Sequence, residues 1–204
     1  MPRGALRTSS PSRALHGFRK LAETEVYHGS LIRVAQVRVQ GPDGDEFGRD
    51  VVHHPGAVVV VPLVDDTTVL MVRQYRAAVD GVLLELPAGK RDVDGEPTEV
   101  TAARELVEEV GREAGRLELL ARFYNSPGFS DELSWLYAAR DLTEVPHDRQ
   151  SAEERHMTVE EISLAAVPGL VAGGSIVDAK SIIGLTLVAS RPGPAGGRDD
   201  AGTS

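Results

Sequence analysis

The 204-residue chain contains no cysteine. That removes a disulfide framework, a thiolate zinc site and a cysteine nucleophile, and it suits a reducing, cytoplasmic setting. Long apolar runs are missing too. The longest, near Ala57 to Val61, is far short of the roughly 20 residues a membrane-spanning helix needs, so no membrane association is expected. Basic residues are in deficit: 22 Lys and Arg against 31 Asp and Glu give a net charge of −9. A surface of that sign repels nucleic acid backbones, so DNA and RNA are not expected partners. It would repel a small phosphate ester equally unless divalent cations stood between. A hydrophobic fraction of 41% is enough for a core, and the length suits one domain with a small appended lobe.

Residues 1–15 are rich in Arg, Ser and Pro and contain no Asp or Glu, and residues 191–204 are rich in Pro, Gly and Asp. Both read as disordered arms. No internal repeat is visible. Between the arms the patterning alternates between strand and helix. Segments 23–28 and 31–39 look like strands, the second alternating through Leu31, Arg33, Ala35, Val37 and Val39. Phe47 to His54 gives a third, completing a small β lobe over 16–54. The main domain, 55–190, opens with Ala57 to Val64, a β-branched run suited to a strand buried on both faces. Val69 to Gln74, Leu117 to Tyr124 and Trp135 to Ala139 read as further strands. Glu99 to Val110 is the clearest helix, and Val159 to Leu164 and Ala179 to Leu187 also read as helical. The fold class is α/β of the α+β kind, a mixed sheet with few helices.

The chemistry concentrates in Arg104-Glu105-Leu106-Val107-Glu108-Glu109-Val110-Gly111. On a helix Glu105, Glu108 and Glu109 share one face, and Val100, Ala103, Val107 and Val110 are expected to pack on the sheet from the other side. A solvated helix would usually interleave lysines among such acids. Here only Arg104 is placed to help, four residues before Glu108. Hard cations such as Mg²⁺ take oxygen ligands, so the three carboxylates form a plausible cradle.

Upstream stand Leu84-Glu85-Leu86-Pro87-Ala88-Gly89 and then Glu96, with seven residues between it and Arg104. Glu96, Arg104, Glu105, Leu106, Glu108, Glu109 and Gly111 together resemble the Nudix box. There are two departures. Six residues instead of the usual five separate Gly89 from Glu96, and Arg112 stands where an apolar residue is usual. The resemblance covers roughly 55–190. It implies an α/β/α sandwich on a mixed sheet, with Mg²⁺ (or Mn²⁺) bound by Glu105, Glu108, Glu109 and the carbonyl of Ala88. It also implies that Arg104 orients the carboxylates, that Glu96 supports the loop, and that Glu109 belongs to the catalytic centre.

Substrate choice lies outside the box. Pro127, within Asn125-Ser126-Pro127-Gly128-Phe129-Ser130-Asp131-Glu132, stands fifteen residues after Arg112, as in the ADP-ribose pyrophosphatase subgroup. Val72-Arg73-Gln74-Tyr75-Arg76 also resembles that subgroup, with Arg76 at a position that can contact substrate. Ser151 to Met157 looks like the loop that brings a late Glu to the site, so Glu153 or Glu154 is the candidate general base or further metal ligand. His53 and His54 read as a strand end. The implied reaction is hydrolysis of ADP-ribose to AMP and ribose 5-phosphate. The alternatives are a broader nucleotide-sugar diphosphatase, for example on GDP-mannose, and a non-catalytic ADP-ribose sensor. Sensors tend to have eroded box carboxylates, and this box is whole. The subgroup pairs two chains through its N-terminal lobe, which makes a homodimer the expected assembly and Arg49 a candidate for reaching the partner's substrate.

Deleting residues 1–15 or 192–204 should leave melting temperature and activity nearly unchanged, because neither segment can bury much apolar area. A large fall in melting temperature would show that the deleted arm docks.

Overall fold

A computed structural model describes residues 17–147, 149 and 155–190. The expected arms, and with them Glu153 and Glu154, lie outside the described residues. The chain divides into two compact units, one ending at His53 and the other beginning at His54.

The first unit is an antiparallel sheet of β1 (Arg19–His28), β2 (Arg33–Gln40) and β3 (Glu46–His53), in that order. The turn between β2 and β3 closes through the Gly41 amide on the Asp45 carbonyl at 2.8 Å. Alternation along β2 buries Ala35 and Val37. By contrast β1 is exposed along almost its whole length, Val26 and Tyr27 included.

The second unit contains β4 (Ala57–Pro62), β5 (Thr68–Arg76), β6 (Gly81–Glu85), β7 (Ala88–Lys90), α1 (Thr98–Glu105), β8 (Arg112–Tyr124), β9 (Leu133–Glu144), β10 (Thr158–Ser163), α2 (Val167–Ala172) and α3 (Ala179–Ala189). One sheet runs β7-β4-β9-β8 and another β10-β5-β6. The pairing is mixed, because β4 and β9 are parallel while their other partners are antiparallel. Val58 to Val61 are wholly buried, as expected of a β-branched run with both faces covered. Successive residues serve two cores. Val58, Val60, Leu70 and Val72 pack with Ala102, Leu106 and Val110, whereas Val59, Val61, Val69 and Met71 pack with Leu86, Ile176 and Leu185. One core is thus roofed by the helix that begins at Thr98, the other by the C-terminal helices, which gives the α/β/α layering.

Two local expectations need correction. Val159 to Leu164 is not a helix: β10 occupies Thr158–Ser163 and pairs antiparallel with β5. Val159 and Ile162 are three residues apart, a spacing that puts them on one face of a helix or opposite faces of a strand, and here they pack into different cores. The buried face of the helix also differs in part from the expected one. Val100 is 51% exposed, Ala103 is exposed and Val107 is only partly buried. Val110 faces the core as expected, and Leu106 and Ala102, one and two turns before it, face the core in place of the other three. α1 continues through a π-helical turn, Leu106–Val110, and Gly111 ends it at φ 67°, a left-handed conformation that glycine adopts without a Cβ penalty. Among the described residues no helix is long and apolar enough to cross a membrane.

Leu106 is fully buried beneath the helix. Leu106→Ala should lower unfolding free energy by about 2–5 kcal/mol in urea titration, and a loss below about 1 kcal/mol would contradict the packing described here.

Candidate active site

The site lies where β6 and β7 meet the helix. Glu85, Leu86, Pro87, Ala88 and Gly89 run across this junction, and each of the first four is held by hydrogen bonds. Glu85, 1% exposed, receives Arg76 through two nitrogens, Nε at 3.0 Å and Nη2 at 2.7 Å. A buried carboxylate needs such a partner, since desolvating a lone charge costs several kcal/mol. Glu85's hydrogen bonds raise the Arg76 pKa above its ordinary value against the opposing effect of burial, with Glu109 and Asp178 adding to the rise. The Leu86 amide donates to Ser181 Oγ at 2.8 Å. The Pro87 carbonyl accepts from the Val60 amide at 2.9 Å. The Ala88 amide donates to Glu109 Oε2 at 3.0 Å.

The helix presents its acids toward this junction. Glu105 and Glu109 are both buried, at 7% and 5% exposure. They flank Leu106 and Val110 on the packed side of the helix instead of projecting from its solvent side. The Glu105 carboxyl lies directly over Gly89, where any Cβ would overlap its Cδ and both oxygens. Arg104 Nη1 stands 3.0 Å from Glu105 Oε1 and 3.0 Å from Glu108 Oε2, while its Nη2 is 3.8 Å from Glu96 and 3.9 Å from Asp92. Burial opposes the Arg104 charge, but Glu105, Glu108 and Glu96 outweigh it and raise its pKa. One guanidinium therefore draws the acids together. Nη2 and Nε are buried without a hydrogen-bond acceptor.

The extra residue before Glu96 is absorbed in the loop. Arg91 lies over the Trp135 ring at 4.5 Å, and Gly95 takes a positive φ. Glu96 then reaches the helix, accepting from Thr101 Oγ1 at 2.7 Å. Arg112, the other departure, opens β8 and pairs with Glu144 across the ladder at 2.7 Å.

The other candidates are placed as follows. Pro127 is exposed in a turn closed by the Phe129 and Ser130 amides on the Ser126 carbonyl. That loop is fastened by Asn125 to Ser134 and by Asp131 to the His54 amide. Arg49 lies on β3 in the first unit, 4.6 Å over the Phe47 ring. It lines a hollow of about 650 Å³ with Thr24, Gln36 and Asp50, all within that unit. His53 is the last residue of β3. Sequence reasoning gave no role to Glu85, Asp178 or Ser181. The available signal was Glu85 itself, an acid inside the apolar run Val82-Leu83-Leu84-Glu85-Leu86.

Among the described residues no three acids or imidazoles already converge as a complete metal-binding group. The donor chemistry nonetheless fits a hard cation. All the side-chain donors are carboxylate oxygens, two of them are gathered on one cation, and the absent side chain of Gly89 leaves room for the Glu105 carboxylate against the strand.

These features define an α+β sandwich domain with a carboxylate site at a strand–helix junction. The chain belongs to the Nudix family: the NUDIX domain matches residues 53–176. It is 38% identical over 175 residues to an ADP-ribose pyrophosphatase of Mycobacterium tuberculosis (strain ATCC 25618 / H37Rv), covering 86% of this chain and 84% of that one. It is 35% identical over 161 residues to an ADP-ribose pyrophosphatase of Bacillus subtilis (strain 168), covering 79% and 86%. A crystal structure of an ADP compounds hydrolase shares the fold, with a TM-score of 0.75 and 24% identity over 87% of this chain and 95% of that one.

Gly89→Ala tests the site's tightest contact. The added methyl must displace the Glu105 carboxylate, so turnover should fall by at least ~10-fold while the circular dichroism spectrum stays native. Unchanged turnover would show that Glu105 works from a different position.

Proposed function

We propose that this chain hydrolyses the diphosphate of ADP-ribose to AMP and ribose 5-phosphate, using Mg²⁺, or Mn²⁺ in its place. The observation that carries the proposal is the placement of three box acids at the strand–helix junction: Glu105 seated over Gly89, Glu108 beside it on Arg104, and Glu109 on the Ala88 amide. The substrate follows from likeness to two proteins named ADP-ribose pyrophosphatase over most of the chain. A non-catalytic sensor has no need of all three box acids, and this chain keeps Glu105, Glu108 and Glu109.

Glu105, Glu108, Glu109 and the Ala88 carbonyl would hold the cations. When bound, these supply charge neutralisation for the diphosphate and acidify water. Arg104 limits repulsion among the acids while they await the cations. Arg76, fixed on Glu85, contributes positive potential toward a phosphate. The Pro127 turn contributes to substrate binding, which its match to the ADP-ribose pyrophosphatase subgroup supports. The proton released from the attacking water goes to a carboxylate, either Glu153 or Glu154.

We place the enzyme in the cytoplasm as a homodimer formed through the N-terminal sheet, with Arg49 reaching the partner's substrate. The exposed β1 strand supports the pairing, since three strands alone are marginal and Val26 and Tyr27 remain uncovered.

Product analysis on a panel of nucleotide sugars, with and without Mg²⁺, tests the substrate. ADP-ribose should be cleaved with a kcat/KM above that for GDP-mannose and only with divalent metal, and a preference for GDP-mannose would refute the assignment. Glu109→Gln should lower turnover by at least ~100-fold, and near-normal Mg²⁺-dependent turnover would remove Glu109 from the centre. Light scattering at micromolar protein tests the assembly: a fully active monomer contradicts the dimer.

A further inference from the structure

A buried polar chain joins the start of α3 to the metal site. Asp178 precedes the helix and its Oδ2 accepts from both the Ser181 amide, at 2.9 Å, and Ser181 Oγ, at 2.7 Å. Lys180 Nζ holds the other oxygen, Oδ1, at 2.5 Å. Burial works against the Asp178 charge, but Lys180 and the Ser181 donors prevail and lower its pKa. Ser181, with no exposed surface, has committed its proton to Asp178, so its lone pairs face the Leu86 amide. The aspartate thereby fixes the hydroxyl as an acceptor.

Leu86 is one residue from Pro87 and two from Ala88. Its side chain also meets α3, where a Cβ on Gly184 would come within 2.6 Å of Leu86 Cδ1. The segment that offers Ala88 to Glu109 is thus clamped from below by α3 and from the side by Val60.

We propose that Asp178 and Ser181 are positioning residues for the metal site. Through the Leu86 amide they set the place of Ala88, and through the Ala88 amide the orientation of Glu109. This rests on the function proposed above. Losing a partner that orients a metal ligand typically weakens metal binding by about 10–100-fold.

The test uses the full chain and Mn²⁺ alone, its dissociation constant measured by electron paramagnetic resonance of the free ion, beside thermal unfolding. Ser181→Ala and Asp178→Ala should each weaken Mn²⁺ binding about 10-fold or more. Asp178→Asn keeps an oxygen for Ser181 and should bind Mn²⁺ nearly as wild type does. Leu185→Ala, a buried change on the same helix, should lower melting temperature without altering Mn²⁺ affinity. Wild-type affinity in Ser181→Ala, or equal weakening in Leu185→Ala, overturns the inference. If Ser181→Ala fails to fold, the two Asp178 variants decide: equal affinities in them also overturn it. A wild-type chain that binds no Mn²⁺ would overturn the metal-dependent function itself, whereas a wild-type chain that binds it alongside indifferent variants overturns only this inference.

Discussion

Glu105 rests on Gly89, and the rest of the site depends on that contact. It brings an acid of the helix against the backbone of the strand, with no side chain between them. Such an approach requires the helix to sit low on the sheet, which Ala102, Leu106 and Val110 achieve by packing on Val58, Val60 and Val72. It also requires the strand segment to be held firmly, which the Arg76–Glu85 pair, the Val60 amide and Ser181 accomplish. Core packing and chemistry are therefore one arrangement: the helix face that fills the core carries the buried acids on its margin.

The charge balance follows the same logic. A chain of net charge −9 concentrates further acids where it must receive an anionic substrate. Left alone, Glu105 and Glu108 would repel one another, and the low dielectric around them would amplify the effect. Arg104 offsets this with a single nitrogen shared between them. Its Nη2 and Nε remain buried without acceptors, so the arginine is not fully satisfied in this arrangement. A divalent cation would give the acids a stronger partner than the arginine, and a diphosphate would supply the remaining negative charge around it.

Much of this was legible in the sequence, and the failures are instructive. Four consecutive valines announced a strand buried on both faces, and the spacing from Glu96 to Gly111 announced the loop and helix. The identity of the acids was readable because their spacing is local. Their surroundings were not. The helix was assigned an apolar face through Val100 and Val107, yet the core took Ala102 and Leu106, since the acids themselves needed the buried margin. Val159 and Ile162 suited two periods equally, and only pairing with β5 decided between them. Asp178 and Ser181 stand more than ninety residues from Leu86 in the chain, and no local pattern can announce a hydrogen bond between them. The extra residue before Glu96 falls in a loop where Arg91 lies over the Trp135 ring.

The claim on which all this turns is that the acids over Gly89 form a cation site belonging to the folded chain. Thermal unfolding of the wild-type protein across a Mg²⁺ titration tests it without reference to any substrate. A ligand bound only by the folded state at 100 times its dissociation constant stabilises that state by about 2.7 kcal/mol. In a domain of this size that corresponds to a rise in melting temperature of roughly 5–10 °C. The expected result is a saturable rise of that order that Glu109→Gln abolishes. A melting temperature indifferent to Mg²⁺, or a rise that survives in Glu109→Gln, would contradict the account.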